Sequence, residues 1–244
     1  ARVNTVQPWS EEERLAGERD TLGVYLTGHP YNRFREELSG VVDGDLRNLD
    51  LNTARQGIFA GLVVGIRVLN TRRGKMAFVA LDDGACRIEM SLYSDKFRAH
   101  AELVQKDAII VACGELSTDE FTGNPQMRAD NVYSLEQLRE GYLRGLAIEL
   151  NDACLRDDTL NKLQQLLEQY RGGKVSLALN YQLGSGETGA LRLGENWRVR
   201  PAPELLDDLR SLLAEPVIRF RYDTTALRAV LERERPKRRV AGFA

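Results

Sequence analysis

Apolar and polar residues alternate along the chain from residue 57, a spacing that is typical of β-strands. Gly61 and Gly65 lie on one face of the first predicted strand, where they would let it bend and coil. The same alternation predicts return strands over 76–82 and 87–93, joined by the tight-turn pair Asp83-Gly84. The opposite face of the first strand carries the apolar residues Ile58, Ala60, Leu62, Val64, Ile66 and Val68.

The pattern then changes to a helical spacing and back to that of strands. Residues 94–105 are predicted to form a helix, with Phe97, Ala101 and Val104 on one side. The apolar run over 108–115 predicts a strand that is buried on both faces, and 125–133 gives a fifth strand. Three strands, a helix and two strands is the order of the OB fold, a five-stranded barrel.

A short helical segment precedes the predicted barrel. Ser10 and the acidic residues that follow it predict a helix start, with Ser10 as cap and Glu13 placed for a capping box. Gly28-His29-Pro30 would end this helix, and a second short helix is predicted from Tyr31 to Leu38. The Asp- and Gly-rich stretch over 40–50 predicts a linker.

The spacing of apolar residues changes again over the last hundred residues. Strands are predicted over 146–150, 175–181, 189–193 and 217–222, and helices over 159–170 and 203–213. The order β-α-β-β-α-β predicts a split βαβ, ferredoxin-like α/β sandwich. The predicted division is therefore a helical segment and linker (1–52), an OB-fold domain (53–140), a small sandwich domain (141–223) and a basic tail (224–244) that starts as a helix.

Composition narrows the function classes only slightly. The formal net charge is -2, so any contact with nucleic acid must come from a local basic cluster. The 3 cysteines are far apart and fit neither a disulfide framework nor a zinc site, which favours a reducing compartment. No apolar stretch is long enough to cross a membrane and no signal peptide is visible, so the sequence predicts a cytoplasmic protein with no membrane contact.

The barrel carries the candidate binding chemistry. Arg72, Arg73 and Lys75 lie in the first hairpin loop, close to Arg67, and could follow the backbone of a single strand. Phe121, in an otherwise polar loop, could stack on a base. Arg87 and Arg128 are predicted to lie on outward faces of the third and fifth strands.

No catalytic or metal constellation is visible in the sequence. The 2 histidines have no cysteine or serine at a spacing that suggests a triad or a metal site. The acid pairs Asp82-Asp83 and Asp207-Asp208 are more typical of a turn and of a solvated helix face. The sequence therefore predicts no catalytic residue, no metal and no cofactor.

Several segments, in order along the chain, resemble the C-terminal region of bacterial DNA polymerase III alpha subunits. Residues 17–30 (GERDTLGVYLTGHP) are similar to the stretch before the OB module of that family. Residues 61–64 (GLVV), 71–74 (TRRG), 81–83 (LDD) and 121–123 (FTG) resemble the module itself. Residues 144–148 (RGLAI) and 197–199 (WRV) resemble the family's terminal domain.

This resemblance implies a non-catalytic part of a template-directed DNA polymerase, whose active site lies upstream. The OB module would bind single-stranded DNA weakly and without sequence preference. The terminal domain would dock the tau subunit of the clamp loader, and a peptide upstream of this chain would bind the sliding clamp. Trp197 and three leucines of the last predicted helix, Leu205, Leu209 and Leu212, are candidate partner contacts, with a core role as the alternative.

Two other functions stay open at this point. A free-standing single-strand-binding or tRNA-binding OB protein would share the barrel but gives no reason for residues 22–30 or for the terminal sandwich. A protein-interaction scaffold whose barrel binds no nucleic acid is favoured by the net charge and disfavoured by the basic hairpin loop.

Overall fold

The computed structural model describes residues 9–44, 54–72, 74–120, 122–151, 158–182, 186–213 and 217–233. Two predicted site residues, Arg73 and Phe121, lie outside these ranges, as do residues 234–244 of the predicted basic tail. None of the helices in the described ranges is both long and apolar enough to cross a membrane.

Two helices form the N-terminal segment, α1 (Glu11–Leu22) and α2 (Asn32–Leu38). The predicted capping box is confirmed: the Ser10 hydroxyl accepts from the Glu13 amide at 3.2 Å, and the Glu13 carboxylate accepts from the Ser10 amide at 2.9 Å. Gly23, at φ 75°, ends α1 in the left-handed region that favours glycine.

The predicted five-stranded barrel is confirmed. Its elements are β1 (Arg55–Thr71), β2 (Gly74–Asp82), β3 (Arg87–Leu92), α3 (Ser94–His100), β4 (Ile109–Thr118) and β5 (Pro125–Ser134). The strands close in the order β1-β2-β3-β5-β4, with a parallel pair only between β3 and β5. Val79, Met90, Ile110 and Met127 fill the interior. The helix α3 ends five residues earlier than the sequence predicted.

Helix α4 (Leu135–Tyr142) leads from the barrel into a second sheet covered by helices. The elements are β6 (Leu143–Asn151), α5 (Thr159–Gln169), β7 (Arg171–Gln182), β8 (Thr188–Arg192), α6 (Pro203–Leu213), β9 (Ile218–Tyr222) and α7 (Thr224–Arg233). The predicted α/β sandwich and its β-α-β-β-α-β order are confirmed. The segment predicted as a basic tail does begin as a helix, α7.

The prediction that this sandwich has a split βαβ arrangement is wrong. The strand order is β8-β7-β6-β9, so β6 and β7 are direct parallel neighbours with no strand between them. In β8, Thr188, Ala190, Leu191 and Arg192 are all exposed, so this strand buries little on either face. Such a strand suits an edge, and the more apolar β6 and β7 pair with each other in the centre.

The leucines of α6 belong mainly to the core of this domain. Leu205 and Leu209 are fully buried, and Leu212 is half-buried against the same core. The prediction that Leu205 and Leu209 contact a partner is therefore corrected, because a helix that covers a sheet needs a wide apolar stripe of its own. Trp197 packs partly into this core, with the Arg171 guanidinium 4.8 Å from its ring centroid.

A third cluster joins the helical segment, the barrel and the second domain. Leu38, Ile58, Leu138 and Leu227, from α2, β1, α4 and α7, pack together there. Leu227 is fully buried, so α7 is fixed to the rest of the protein. Arg228 of the same helix adds an ion pair of 2.9 Å to Asp43.

The packing of β4 against β5 leaves no room for a side chain at Gly114. A Cβ there would lie 2.0 Å from the Arg128 carbonyl oxygen. We expect Gly114→Ala to lower the free energy of unfolding by about 1–3 kcal/mol, as forced overpacking does. Gly141→Ala is the matched control, since a Cβ there meets nothing within 4 Å and its stability should be unchanged or slightly higher in a urea titration. Equal stability of the two variants would contradict this packing.

Candidate nucleic-acid interface

The outer face of β1, β2 and β3 brings a cation and an aromatic ring together. Arg67, Phe78 and Ser91 are register partners across the three strands, so their side chains share one face. The Arg67 guanidinium lies 4.9 Å from the Phe78 ring centroid. Its side chain is 65% exposed, which leaves this cation accessible to a ligand. We name this surface, with Tyr93 and the β1–β2 hairpin below, the barrel face.

A shallow groove of about 600 Å³ continues the barrel face toward the β1–β2 hairpin. Tyr93, directly after β3, is 53% exposed, and Met76 of β2 adds an apolar side chain to the groove lining. The groove therefore offers an exposed aromatic ring and an apolar side chain between cations. Proteins that bind single strands stack bases on surfaces of this kind. The groove is lined by Thr71, Arg72, Met76, Tyr93, Ser94 and Lys96, together with Asp95.

The hairpin itself presents two of its predicted cations. Arg72 and Lys75 are exposed, while Arg73 lies outside the described residues. The Thr71 hydroxyl donates to the Gly74 carbonyl at 2.7 Å, and Gly74 adopts φ 112°. This hydrogen bond joins the two strand ends beside Arg72, which lines the groove.

The other predicted cations are paired with acids. Arg87 donates to Asp82 at 2.7 Å, and Arg128 donates to Glu115 at 3.1 Å. Both arginines lie on outward faces, as predicted, but a phosphate would have to compete with a carboxylate for each. Arg67 is less engaged, since its distance to Glu89 is 4.0 Å.

The loop that holds Phe121 borders the same side of the barrel. Asp119 organises it by accepting from the Thr122 amide at 2.7 Å and from its hydroxyl at 2.8 Å. A second groove, of about 460 Å³, runs between this loop and β3, past Arg87 and Glu89. Phe121 lies outside the described residues, so its proposed stacking role stays a prediction.

Sequence reasoning missed Phe78 and Tyr93, although a signal for both was present. Ala77 and Val79 are buried in the barrel, and strict alternation then places Phe78 outward. The same alternation in β3 runs from the buried Leu92 to the exposed Tyr93.

The described residues contain no group of three or more His, Cys, Asp or Glu side chains that could hold a metal ion. His29 lies against the β2–β3 turn, with Nε2 3.7 Å from Asp82 Oδ1. Burial lowers the pKa of His29, although the Asp82 carboxylate opposes the shift. This histidine therefore connects the helical segment to the barrel as a neutral packing group near neutral pH.

Comparison with known proteins gives a consistent result along the chain. Residues 162–214 match a family model described as DNA polymerase III subunit alpha, C-terminal domain, and residues 58–135 match an OB-fold nucleic acid binding domain. The DNA polymerase III subunit alpha of Escherichia coli strain K12 is 40% identical over 221 residues, which cover 89% of this chain. That of Vibrio cholerae is 36% identical over 224 residues, which cover 91%.

The chain spans only 19% of the length of these relatives. Among solved structures, the protein described as the second single-stranded DNA binding protein (SSBb) of Mycobacterium smegmatis is 13% identical in sequence to this chain, with a TM-score of 0.29. That match covers 34% of this chain and 90% of the other.

Proposed function

The chain belongs to the bacterial DNA polymerase III alpha family, as a counterpart of its C-terminal region, and from this premise we propose a non-catalytic role at the replication fork. In this proposal the barrel contacts single-stranded template DNA, and the second domain docks the tau subunit of the clamp loader. The same proposal places the polymerase active site outside these 244 residues.

The barrel face is the observation that supports the DNA contact. OB folds use strands two and three and their flanking loops for binding, and these are the elements that carry Phe78, Tyr93 and Arg72 here. Arg67, Arg72 and Lys75 supply positive charge for the phosphates, while Tyr93 supplies a ring for a base. Ring stacking and phosphate contacts are insensitive to sequence, so the proposed binding is sequence-neutral.

The acids on the same side of the barrel limit the strength of that binding. Asp82, Glu89 and Glu115 each lie within ion-pair distance of one of the barrel's arginines. The net attraction for a polyanion is therefore small, which fits a weak contact that releases DNA as a polymerase moves.

The same acids favour the second candidate, a protein scaffold whose barrel binds no nucleic acid. A free-standing OB protein is less well supported, because the similarity to the polymerase subunits extends over 221 residues and so far beyond the barrel.

Binding of this chain to a fluorescent oligo-dT, followed by anisotropy at low and moderate salt, tests the DNA contact. Saturable binding that weakens with salt is expected, because phosphate contacts release counterions. No binding at low salt would leave the scaffold as the better function. Surface plasmon resonance on an immobilised tau subunit tests the docking role separately, and the absence of a signal there would contradict it.

We expect Tyr93→Ala to weaken oligo-dT binding by about 1–3 kcal/mol, the usual effect of removing one stacking ring. Tyr181→Ala is the matched control, because Tyr181 is a 40% exposed tyrosine on β7 of the other domain. Both affinities are read from the same anisotropy titration. If the two variants bound equally well, Tyr93 would not be part of the interface.

A further inference from the structure

The sheet of the second domain has two chemically different faces. One face carries Leu146, Ile148 and Leu177, which are buried in the domain core with the leucines of α5 and α6. The opposite face carries small residues on its two central strands: Gly145 and Ala147 from β6, and Ser176 and Ala178 from β7. We name this opposite surface, with the arginines described next, the open face.

The register of the four strands sets the shape of the open face. Arg192, Ala178, Ala147 and Arg219 form one row across β8, β7, β6 and β9. Neighbouring strands are about 4.8 Å apart, so the Cα atoms of the two arginines are separated by about 14 Å. An α-helix with its side chains is about 10–12 Å wide. One helix therefore fits along the alanine floor, with a cation on each side.

Charge on the open face has one dominant sign. Arg192, Arg219, Arg221 and Lys174 are all exposed, and Glu149 is the one acid on the described strands of this face. Arg219 bonds to Glu149 at 2.8 Å and is still 68% exposed. Arg221 donates to the Ser176 hydroxyl at 3.1 Å, so its side chain crosses Gly145 and covers that end of the face, next to the alanine row.

These features favour one of two anionic ligands, an acidic protein helix, over the other, a nucleic acid. None of the described residues that project from the open face is aromatic, so bases would find no ring to stack on. The alanine floor formed by Ala147 and Ala178 permits close approach of a helix backbone. Arginines on both edges match carboxylates on both flanks of such a helix.

We infer that the open face binds an acidic amphipathic helix of a partner protein, with small residues on the alanine floor and carboxylates against Arg192 and Arg219. This inference rests on the proposed docking role of the second domain and assigns that role to one surface. The tau subunit is the probe for it.

The test uses two variants of this chain on immobilised tau. Arg192→Glu/Arg219→Glu reverses both edges and should raise the Kd about tenfold or more. Ala178→Gln fills the floor without changing the charge and should also weaken binding several-fold, as expected for a buried contact and not for long-range attraction. Lys162→Glu, on the exposed surface of α5, is the control and should leave the Kd unchanged. Circular dichroism and thermal unfolding confirm that each variant is folded.

The outcomes separate this inference from the docking role. If this chain binds tau and both open-face variants bind with the unaltered Kd, the inference is wrong and the docking role stands. If this chain does not bind tau at all, the docking role fails first. If the open-face variants lose oligo-dT affinity and keep tau affinity, the surface binds nucleic acid and the inference is again wrong.

Hydrogen exchange on the complex provides an independent readout. Protection should appear on β6 and β7 of this chain and on one acidic helical segment of tau. Protection of a basic or extended segment would overturn the assignment of the ligand.

Discussion

Replacing Arg139 with methionine is expected to lower the free energy of unfolding by about 3–5 kcal/mol. Arg139 of α4 donates two hydrogen bonds, of 2.8 and 2.7 Å, to the Glu37 carboxylate of α2. The side chains are 5% and 1% exposed, and Tyr222 of β9 donates to the same carboxylate at 2.5 Å. Without the guanidinium, a buried carboxylate would lose the one cationic partner that it has among the described residues, at the junction of three parts of the chain.

A urea titration of the Arg139→Met variant measures this effect. Arg128→Met is the matched control, since Arg128 and Glu115 form a similar pair on the surface, 38% and 40% exposed, and should contribute about 0–1 kcal/mol. The double variant Glu37→Leu/Arg139→Met should be more stable than Arg139→Met alone, because it removes the unpaired charge as well. A loss below about 1 kcal/mol in Arg139→Met would mean that Glu37 is solvated in the folded protein.

Nothing local in the sequence indicated this cluster. Arg139 is 102 residues from Glu37 and 83 residues from Tyr222, and no local pattern in the sequence sets any of the three apart from a surface residue. Their pairing is a consequence of how the three parts pack. Burial, followed by the Glu37 carboxylate, raises the pKa of Tyr222, so its hydroxyl stays protonated and donates.

The barrel strands show what the alternation of apolar and polar residues can predict and what it cannot. Alternation correctly predicted its strands, but the long apolar face proposed for β1 is interrupted by a shift in register between Val63 and Gly65. Before the shift, Phe59 faces the barrel interior while Ile58 packs on the helices. After it, Ile66 and Val68 are the register partners of Val79 and Ala77, whose side chains belong to the barrel interior. Ile66 and Val68 themselves are 38% and 46% exposed. One extra residue at a bulge exchanges the two faces of a strand, and periodicity alone cannot locate it.

Helix α4 was predictable and was missed. Ser134 and Gln137 form a capping box, a signature that can be read from the sequence, with the Ser134 hydroxyl accepting from the Gln137 amide at 3.1 Å. The strand order of the second sheet is a different case. The order of elements is the same whether β8 is inserted between β6 and β7 or placed at the edge, so only long-range packing decides between them.

The largest effect on DNA binding is expected from charge reversal on the barrel face. Arg67→Glu, Arg72→Glu and Lys75→Glu together should lower oligo-dT affinity roughly 100-fold at low salt and should flatten its salt dependence. Each cation that neutralises a phosphate of a single strand contributes about 0.7 to the slope of log K against log salt, so the slope should fall by about 2. Arg87 and Arg128 donate hydrogen bonds to carboxylates, whereas Arg67 lies 4.0 Å from its nearest carboxylate partner, Glu89, and Arg72 and Lys75 are exposed at the hairpin.

The control must change the net charge equally at a distance from the barrel face. Arg14→Glu, Lys106→Glu and Lys162→Glu meets this condition, because these cations lie on α1, on the loop after α3 and on α5. General repulsion of DNA by a more acidic protein would lower affinity equally in both triple variants. A selective loss in the barrel variant, with the smaller salt slope, is the result that a local phosphate contact requires. Equal slopes in the two variants would move the DNA contact away from β1 and β2.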